Sequence, residues 1–515
     1  KGKEYKYIKY KPNKFAEKMF SLGVDDESMW AYLMCNLVYA KDSEEFRWFI
    51  KNIPFSETST PESIKLRLDE VMENDKSGLG KRNICDALKS FLIKTPFGKQ
   101  LGLGSVIDYE EKVSSNGRET ITLNYFVRGS WKNPDEKVIL AMKHFIYADN
   151  AATTKLDKDA FNAMLPWLQE EYGNASQLYS FARKPKKALM EARTLIAECI
   201  GAQPDEIYFT SGGTESDNWA IKGIAEIGKK HHTITTQIEH HAILNACRRL
   251  EHFGFQVDYL PVDKQGVVSC EDLVKFIKGN TELITVMMVN NEIGTIEPIK
   301  ELATVAHDNG ILFHTDAVQA VGHIPIDVSD LCVDMLSASA HKFNGPKGIG
   351  FLYIKKGTKI SSYADGGAQE FHKRAGTENI ASIVGMSTAL KKSCDEMEKV
   401  NEKLLALDEA FNDVLLKSKI DFIRNGSNNH VPGNINLSIR GMSGEMLLHR
   451  LDLMGICIST GSACDSVNTE ISHVIKAIGV PSEYSEGTIR ISFGRDNTEE
   501  DAIMIAKVLA KVIKG

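Results

Sequence analysis

A lysine among small and hydroxyl residues, Ser337-Ala338-Ser339-Ala340-His341-Lys342, opens a Gly/Pro-rich turn, Phe343-Asn344-Gly345-Pro346-Lys347-Gly348. A strand-like run ending in His314-Thr315-Asp316 precedes it. A lysine amine can condense with a carbonyl, a carboxylate can hold a protonated ring nitrogen, and hydroxyls with backbone N–H groups can hold a phosphate. Those are the needs of pyridoxal phosphate. A single lysine in a glycine-rich turn is ordinarily a solvated side chain, so the other residues decide.

Thr210-Ser211-Gly212-Gly213-Thr214-Glu215-Ser216 follows a strand pattern and opens a helix pattern, where free N–H groups and small residues suit an anion. A plain helix cap is the alternative for that stretch. Glu239-His240-His241 follows the next strand; a histidine there can stack on a planar cofactor and move protons. Asn290-Asn291-Glu292-Ile293-Gly294 ends an apolar strand, where α/β folds place ligand groups. Asp316 and Gln319 end another. Cys464 lies in Ser459-Thr460-Gly461-Ser462-Ala463-Cys464-Asp465-Ser466, which has no apolar periodicity to bury it and the composition of a mobile loop.

The elements that must position these residues follow from pattern. Residues 207–209, 233–235, 283–289, 311–313 and 350–354 read as strands, most of them between helical stretches. That is the arrangement of a largely parallel α/β sheet. Near Lys391 the pattern becomes a charged helix through about Lys417, followed by shorter elements, so a smaller α+β domain is expected over residues 391–515 after a large domain over 142–390. Residues 1–141 read as helices followed by a hairpin about Asn116-Gly117. That order fits a winged helix with Lys81, Arg82 and Lys89 on its last helix, or equally a small α+β docking domain. Met142 stands where a free-standing enzyme of this kind would start, so residues 1–141 are read as a fused accessory module.

Together the motifs resemble the aminotransferase-like, fold-type I enzymes that use pyridoxal phosphate, and residues 142–515 resemble a cysteine desulfurase of the NifS/IscS type. The marks run from Tyr147–Thr154, Gly173-Asn174-Ala175-Ser176 and Thr210–Asn218 to His341–Gly350, Arg374-Ala375-Gly376-Thr377-Glu378-Asn379, Gly461–Cys464 and Arg490–Arg495. The resemblance implies that Lys342 holds the cofactor and moves the α-proton, Asp316 holds the pyridine nitrogen, and His240 stacks on the ring and transfers protons. Gly213, Thr214, Ser339 and His341 would hold the phosphate, Thr377 would do so from the neighbouring subunit of a homodimer, and Asn291 and Gln319 would contact ring substituents. Arg490, aided by Asn174, would clamp the carboxylate of L-cysteine. Cys464 would take the sulfur as a persulfide for a sulfur-acceptor protein. Iron–sulfur assembly, transfer-RNA thiolation and DNA phosphorothioation would all use the same site, and a selenocysteine lyase is the related alternative. Residues 1–141 resemble a domain family found near DNA phosphorothioation genes, on the Gly78-Leu79-Gly80-Lys81 helix start and the hairpin; DNA contact would lie there. Two departures stand out: Asp465 adds a negative charge beside the thiol, and Ile471 replaces a usual proline.

Composition narrows the setting. The 515 residues are 43% hydrophobic and 25% charged, ordinary for a globular protein. No apolar run approaches the roughly 18 residues of a membrane span. The net charge of −7 divides into 23 Lys/Arg against 21 Asp/Glu in residues 1–141 and 39 against 48 beyond, so the catalytic part has no polycationic footprint for nucleic acid. Nine scattered cysteines without C-x-x-C or zinc spacing argue for free thiols in a reducing cytoplasm and for no metal site.

Overall fold

The structure is a computed structural model and describes residues 103–113, 119–127, 138–141, 145–460 and 471–514. The chain divides between Phe145 and Ile146 into two units. In the first, β1 (Leu103–Val113), β2 (Glu119–Val127) and β3 (Val138–Ala141) form an antiparallel sheet in that order. The expected helices before it, the basic residues Lys81, Arg82 and Lys89, and Met142 lie outside the described residues.

The second unit starts with β4 (Ile146–Tyr147) and continues through β5 (Ile207–Thr210), β6 (His232–Thr236), β7 (Gln256–Leu260), β8 (Thr281–Thr285), β9 (Leu312–Asp316), β10 (Met335–Ser339) and β11 (Gly350–Ile354). Strands β5 to β11 form one sheet in the order β5-β11-β10-β9-β8-β6-β7, parallel throughout except for β11. The mostly parallel sheet expected from sequence is therefore present. Its faces are covered by α1 (Lys158–Gln169), α2 (Arg183–Ile200), α3 (Gly213–Ile227), α4 (His241–His252), α5 (Ile299–Asp308) and α6 (Ile380–Asp395). The period-two alternation of a strand explains the division of labour. Phe351 and Tyr353 of β11 join Phe313, Ile196, Leu302 and Met386 on one face. Leu352 and Ile354 join Trp219, Ile221 and Leu250 on the other. A parallel sheet needs both faces covered because its crossover helices lie on them.

After α7 (Met397–Lys417) come β12 (Phe422–Asn425), β13 (Asn434–Ile439), β14 (Ile456–Cys457), β15 (Ser459–Thr460) and β16 (Thr488–Ser492), with α8 (His473–Ala477) before β16 and α9 (Glu499–Lys514) after it. Four of these strands form an antiparallel sheet in the order β12-β13-β16-β15. β14 instead pairs in parallel with β4, which brings the start of the unit into the C-terminal layer. Ile146 and Ala148 are buried there with Phe411, Leu437, Ile489, Ile505 and Leu509. Among the described residues no helix is long and apolar enough to cross a membrane.

Phe411 is fully buried and touches Phe493 edge-on, ring centroids 6.4 Å apart. Phe411→Ala should cost about 3–5 kcal/mol by loss of burial and opening of a cavity, measured as a lowered urea midpoint of the C-terminal layer.

Candidate active site

The carboxyl ends of the parallel strands converge. Asp316 ends β9, Ser339 ends β10, Gly213 opens α3 just after β5, and His240 caps α4 just after β6. Asn291 follows β8 within the turn whose geometry Asn290 fixes, Asn290 Oδ1 accepting from the Glu292 and Ile293 N–H groups at 2.9 and 3.0 Å. Ser337 pairs in register with Asp316, so the one-turn 3₁₀ helix after β10 carries Lys342 across the same edge.

Lys342 Nζ donates to the carbonyls of Ala151 and Ala152 at 2.6 and 2.9 Å, and Gln319 Nε2 donates to the same Ala151 carbonyl at 2.9 Å. His341 Nδ1 lies 3.1 Å from Thr153 Oγ1, and the His341 carbonyl accepts from the Thr154 N–H at 2.9 Å. The turn at 149–154 is therefore part of the site, although in the sequence it marks only a resemblance. Its signal is the run of small residues that lets two carbonyls meet one amine.

Charge is handled by burial. Asp316 is 5% exposed and accepts from the Val318 N–H at 2.9 Å. Burial pushes its carboxyl up to about 6, opposed by that hydrogen bond and by the Lys342 charge. Asp217 and Glu239, fully buried nearby, are driven well above the carboxylate range, by burial first and then with a contribution from Asp316. Burial and the Lys342 charge hold His240 down to about 4. Its Nδ1 accepts from the Ala242 N–H at 3.1 Å, so the neutral ring carries its proton on Nε2. His341 is likewise lowered to about 4, by burial and by Lys342.

Arg490 comes from β16 and reaches the same edge. Its Nη1 donates to the Asn291 carbonyl at 2.7 Å and its Nη2 to Asp149 Oδ1 at 2.8 Å, while its buried Nε has no partner among the described residues. Five N–H donors leave this guanidinium room for a carboxylate. Asp149 is a site residue that sequence reasoning did not single out. Asn174 closes its own turn on the Ser176 N–H at 2.9 Å, and Thr377 is exposed on a loop anchored through Arg374; both lie outside the hydrogen-bonded group around Lys342. Cys464 and Asp465 lie outside the described residues, but the chain on either side does not. Ser459 pairs with Arg490 in the sheet. On the far side Ser472 Oγ donates to Glu292 Oε2 at 2.6 Å, and His473 Nε2 lies 2.9 Å from the carbonyl of Glu239, next to His240. Ile471 packs on the apolar cluster of Ile238, Ile293, Val474, Ile475 and Ile478, so the departure from proline is filled by a hydrophobic anchor.

The residues fit pyridoxal phosphate. Gly212 has φ 149°, and a Cβ on Gly213 would clash with Val318 Cγ2 at 2.5 Å, so the turn at the start of α3 requires glycine at both positions. Ser339 borders it, its Oγ 3.5 Å from the Cβ position of Gly212. A phosphate suits that helix start, and a ring cation against Asp316 would offset the burial of its charge. Lys342 supplies the amine. Among the described residues no group of three or more His, Cys, Asp or Glu could hold a metal ion.

Residues 146–504 match the aminotransferase class-V family model. The cysteine desulfurase IscS of Dictyoglomus turgidum is 50% identical over 376 residues, covering 72% of this chain and 95% of that protein. A solved NifS-like protein aligns with a TM-score of 0.68 at 35% identity, covering 72% of this chain and 99% of its own. A structure of SspA in complex with cysteine aligns with a TM-score of 0.61 at 36% identity, covering 68% and 100%.

The raised carboxyl of Asp316 gives a pH test. The folded chain holds this proton more tightly than the unfolded one, so the group favours folding at low pH and the benefit is lost as pH rises through about 6. Above that pH the cofactor-free chain carries a cost on the order of 3 kcal/mol that a neutral side chain avoids. Asp316→Asn should therefore raise the stability of the cofactor-free chain above pH ~6 while weakening its retention of pyridoxal phosphate, and the stability gain should vanish below pH ~4. Denaturation curves across that range check the sign.

Proposed function

We propose, from the premise that this chain belongs to the aminotransferase class-V family and is a pyridoxal phosphate-dependent cysteine desulfurase of the IscS type, that sulfur from L-cysteine leaves as a persulfide on Cys464 and passes to an acceptor protein. The observation that carries the role of Cys464 is the anchoring of its segment: one end pairs with Arg490, and the other is fastened beside His240. The bound cofactor supplies an electron sink conjugated to the substrate's Cα. The chain's own residues do the rest. Arg490 holds the substrate carboxylate with a fork that lysine could not copy. Lys342, held on the Ala151 and Ala152 carbonyls, takes the proton from Cα. His240, neutral and protonated on Nε2, is set to give a proton at the reacting centre. The Cys464 thiolate attacks the substrate sulfur and the Cβ–S bond breaks; its electron pair returns to Cβ, which takes a proton to become a methyl group, and Lys342 gives the proton it removed back to Cα, which completes alanine. Thiol and cysteine go in; persulfide and alanine come out, with atoms and electrons balanced.

Phosphate contacts would come from Gly213, Thr214, Ser339 and His341, with Thr377 reaching in from a second subunit. A homodimer is supported by the apolar surface of α1 and the loop after it, where Leu168, Tyr172, Leu178 and Tyr179 are 58%, 72%, 96% and 51% exposed. A reducing cytoplasm is supported by the free thiols of all six described cysteines. The acceptor belongs to iron–sulfur assembly, transfer-RNA thiolation or DNA phosphorothioation. For the last, residues 1–141, which carry the β1–β2 hairpin, would make the nucleic-acid contact; that hairpin suits a docking domain equally. DNA affinity that resides in those residues and falls steeply between 50 and 200 mM salt, by roughly 10³-fold if six phosphates are contacted, supports that role; its absence leaves protein docking.

Cys464→Ser should lower alanine and sulfide formation from L-cysteine by on the order of 100-fold or more, with bound pyridoxal phosphate unchanged. Full activity in that variant would sink the persulfide route. Activity kept towards selenocysteine alone fits the easier cleavage of that substrate.

A further inference from the structure

Glu370, Phe371 and His372 take positive φ angles of 44°, 56° and 63° in succession, and none is glycine. Side chains disfavour that region, so three neighbours in it need an outside constraint. The constraint is visible. The Glu370 carboxylate is 6% exposed and is bound twice by Arg193 of α2, Nη1 to Oε2 and Nη2 to Oε1 at 2.8 Å each. It also accepts from the Phe209 N–H of β5 at 2.9 Å. Arg193 is itself buried, donates to the Ile207 carbonyl, and lies over the rings of Phe209 and Phe371 at 4.4 and 5.2 Å.

Downstream, the loop is fixed a second time. Arg374 Nε and Nη2 donate to the two oxygens of Glu215 at 2.9 and 3.3 Å, and Glu215 accepts from the Ser211 N–H at 3.0 Å, at the start of the phosphate turn. The Gly376 N–H donates to Gln369 Oε1 at 3.2 Å, and exposed Thr377 comes next. A buried ion pair is a poor way to gain stability, since apolar residues of the same volume do as well or better. What a doubly bonded guanidinium–carboxylate pair adds is a fixed orientation.

We propose that Arg193 and Glu370 are positioning residues: their ion pair holds the strained 370–372 turn and so sets where Thr377 meets the cofactor phosphate of the partner subunit. This rests on the homodimer reading above. Neither residue touches the reacting atoms.

The test uses full-length holoenzyme. Glu370→Ala, and more mildly Arg193→Lys, should weaken retention of pyridoxal phosphate on dialysis by about tenfold, with the KM for L-cysteine of the cofactor-saturated enzyme within about twofold. Adding His372→Gly to Glu370→Ala should restore part of the retention, because glycine accepts positive φ freely. Unchanged retention in both single variants overturns the proposal. Mixed dimers locate the effect and remain informative if the Glu370→Ala homodimer folds poorly. A Lys342→Ala subunit paired with a Glu370→Ala subunit should keep one site of wild-type pyridoxal phosphate retention, since the intact lysine meets an intact loop from its partner. In a wild-type subunit paired with one carrying both substitutions, the one lysine-bearing site should show the roughly tenfold weaker retention. The opposite pattern places the loop's action within its own subunit and overturns the inference. A chain that sediments as a monomer removes the dimer reading itself, a result separate from either pattern.

Discussion

A carboxyl group buried at the end of a parallel strand has to be balanced where water cannot do it, and Asp316 sets that condition for the whole site. Its immediate surroundings yield. Asp217 and Glu239 are pushed toward their neutral forms, and His314, pushed by burial down to about 3, is neutral as well. That leaves Asp316 with Lys342 as the opposed charges, and a ring cation as the natural third member. The strands beneath are polar for the same reason. Thr285, His314 and Ser337 join β8, β9 and β10 by side-chain contacts of 2.8 and 2.9 Å, so hydroxyls and a neutral imidazole replace aliphatic side chains directly under the charge. Thr285, His314 and Ser337 each gain a partner by these contacts.

Arg490 is the second fixed point. Its guanidinium joins three segments remote in sequence: β16, the turn at Asp149 and the turn at Asn291. Since β4 also pairs with β14, the start of the unit is stitched to the C-terminal layer both by backbone and by this ion pair. The carbonyls that receive Lys342 sit two and three residues beyond Asp149. Anything that moves Arg490 thus moves the acceptors of the lysine amine. The placement of the guanidinium and that of the lysine amine are linked through one short turn.

Much of this was legible from sequence, and the misses have physical causes. β5, β6, β8, β9 and β11 overlap the runs expected from sequence. β10 does not announce itself because Ser337, Ala338 and Ser339 are small residues chosen for the site rather than for β propensity. β7, Gln-Val-Asp-Tyr-Leu, is not among the expected runs; it lies at the sheet edge, and only Val257 and Leu260 of it are buried. β8 is bounded at Thr285 although the apolar run continues to Val289; the Val286 and Met288 N–H groups still donate to the His314 and Asp316 carbonyls of β9, and the chain turns only at Asn290. Among site residues, Lys342, Asp316 and His240 carry their chemistry in their type and position. Asp149, and the Ala151 and Ala152 carbonyls, do not, since a backbone acceptor has no sequence signature. The Arg193–Glu370 pair spans 177 residues and could be seen only once folded.

The anchors of the segment 461–470 limit what Cys464 can do. Thr460 is held in β15 beside Ser459, whose partner is Arg490. Four residues of extended chain reach at most about 14 Å from Thr460, so the Cys464 backbone has to lie within that distance of the end of β15. The seven residues back to Ile471 permit about 25 Å and do not set the limit. The short arm therefore sets the limit. If Cys464 carries sulfur as proposed, its acceptor has to come within that reach of β15, whose neighbour in the sheet is Arg490. Recognition of the acceptor would then fall to the surface near the end of β15, and the cofactor-binding edge of the sheet could stay the same for any acceptor.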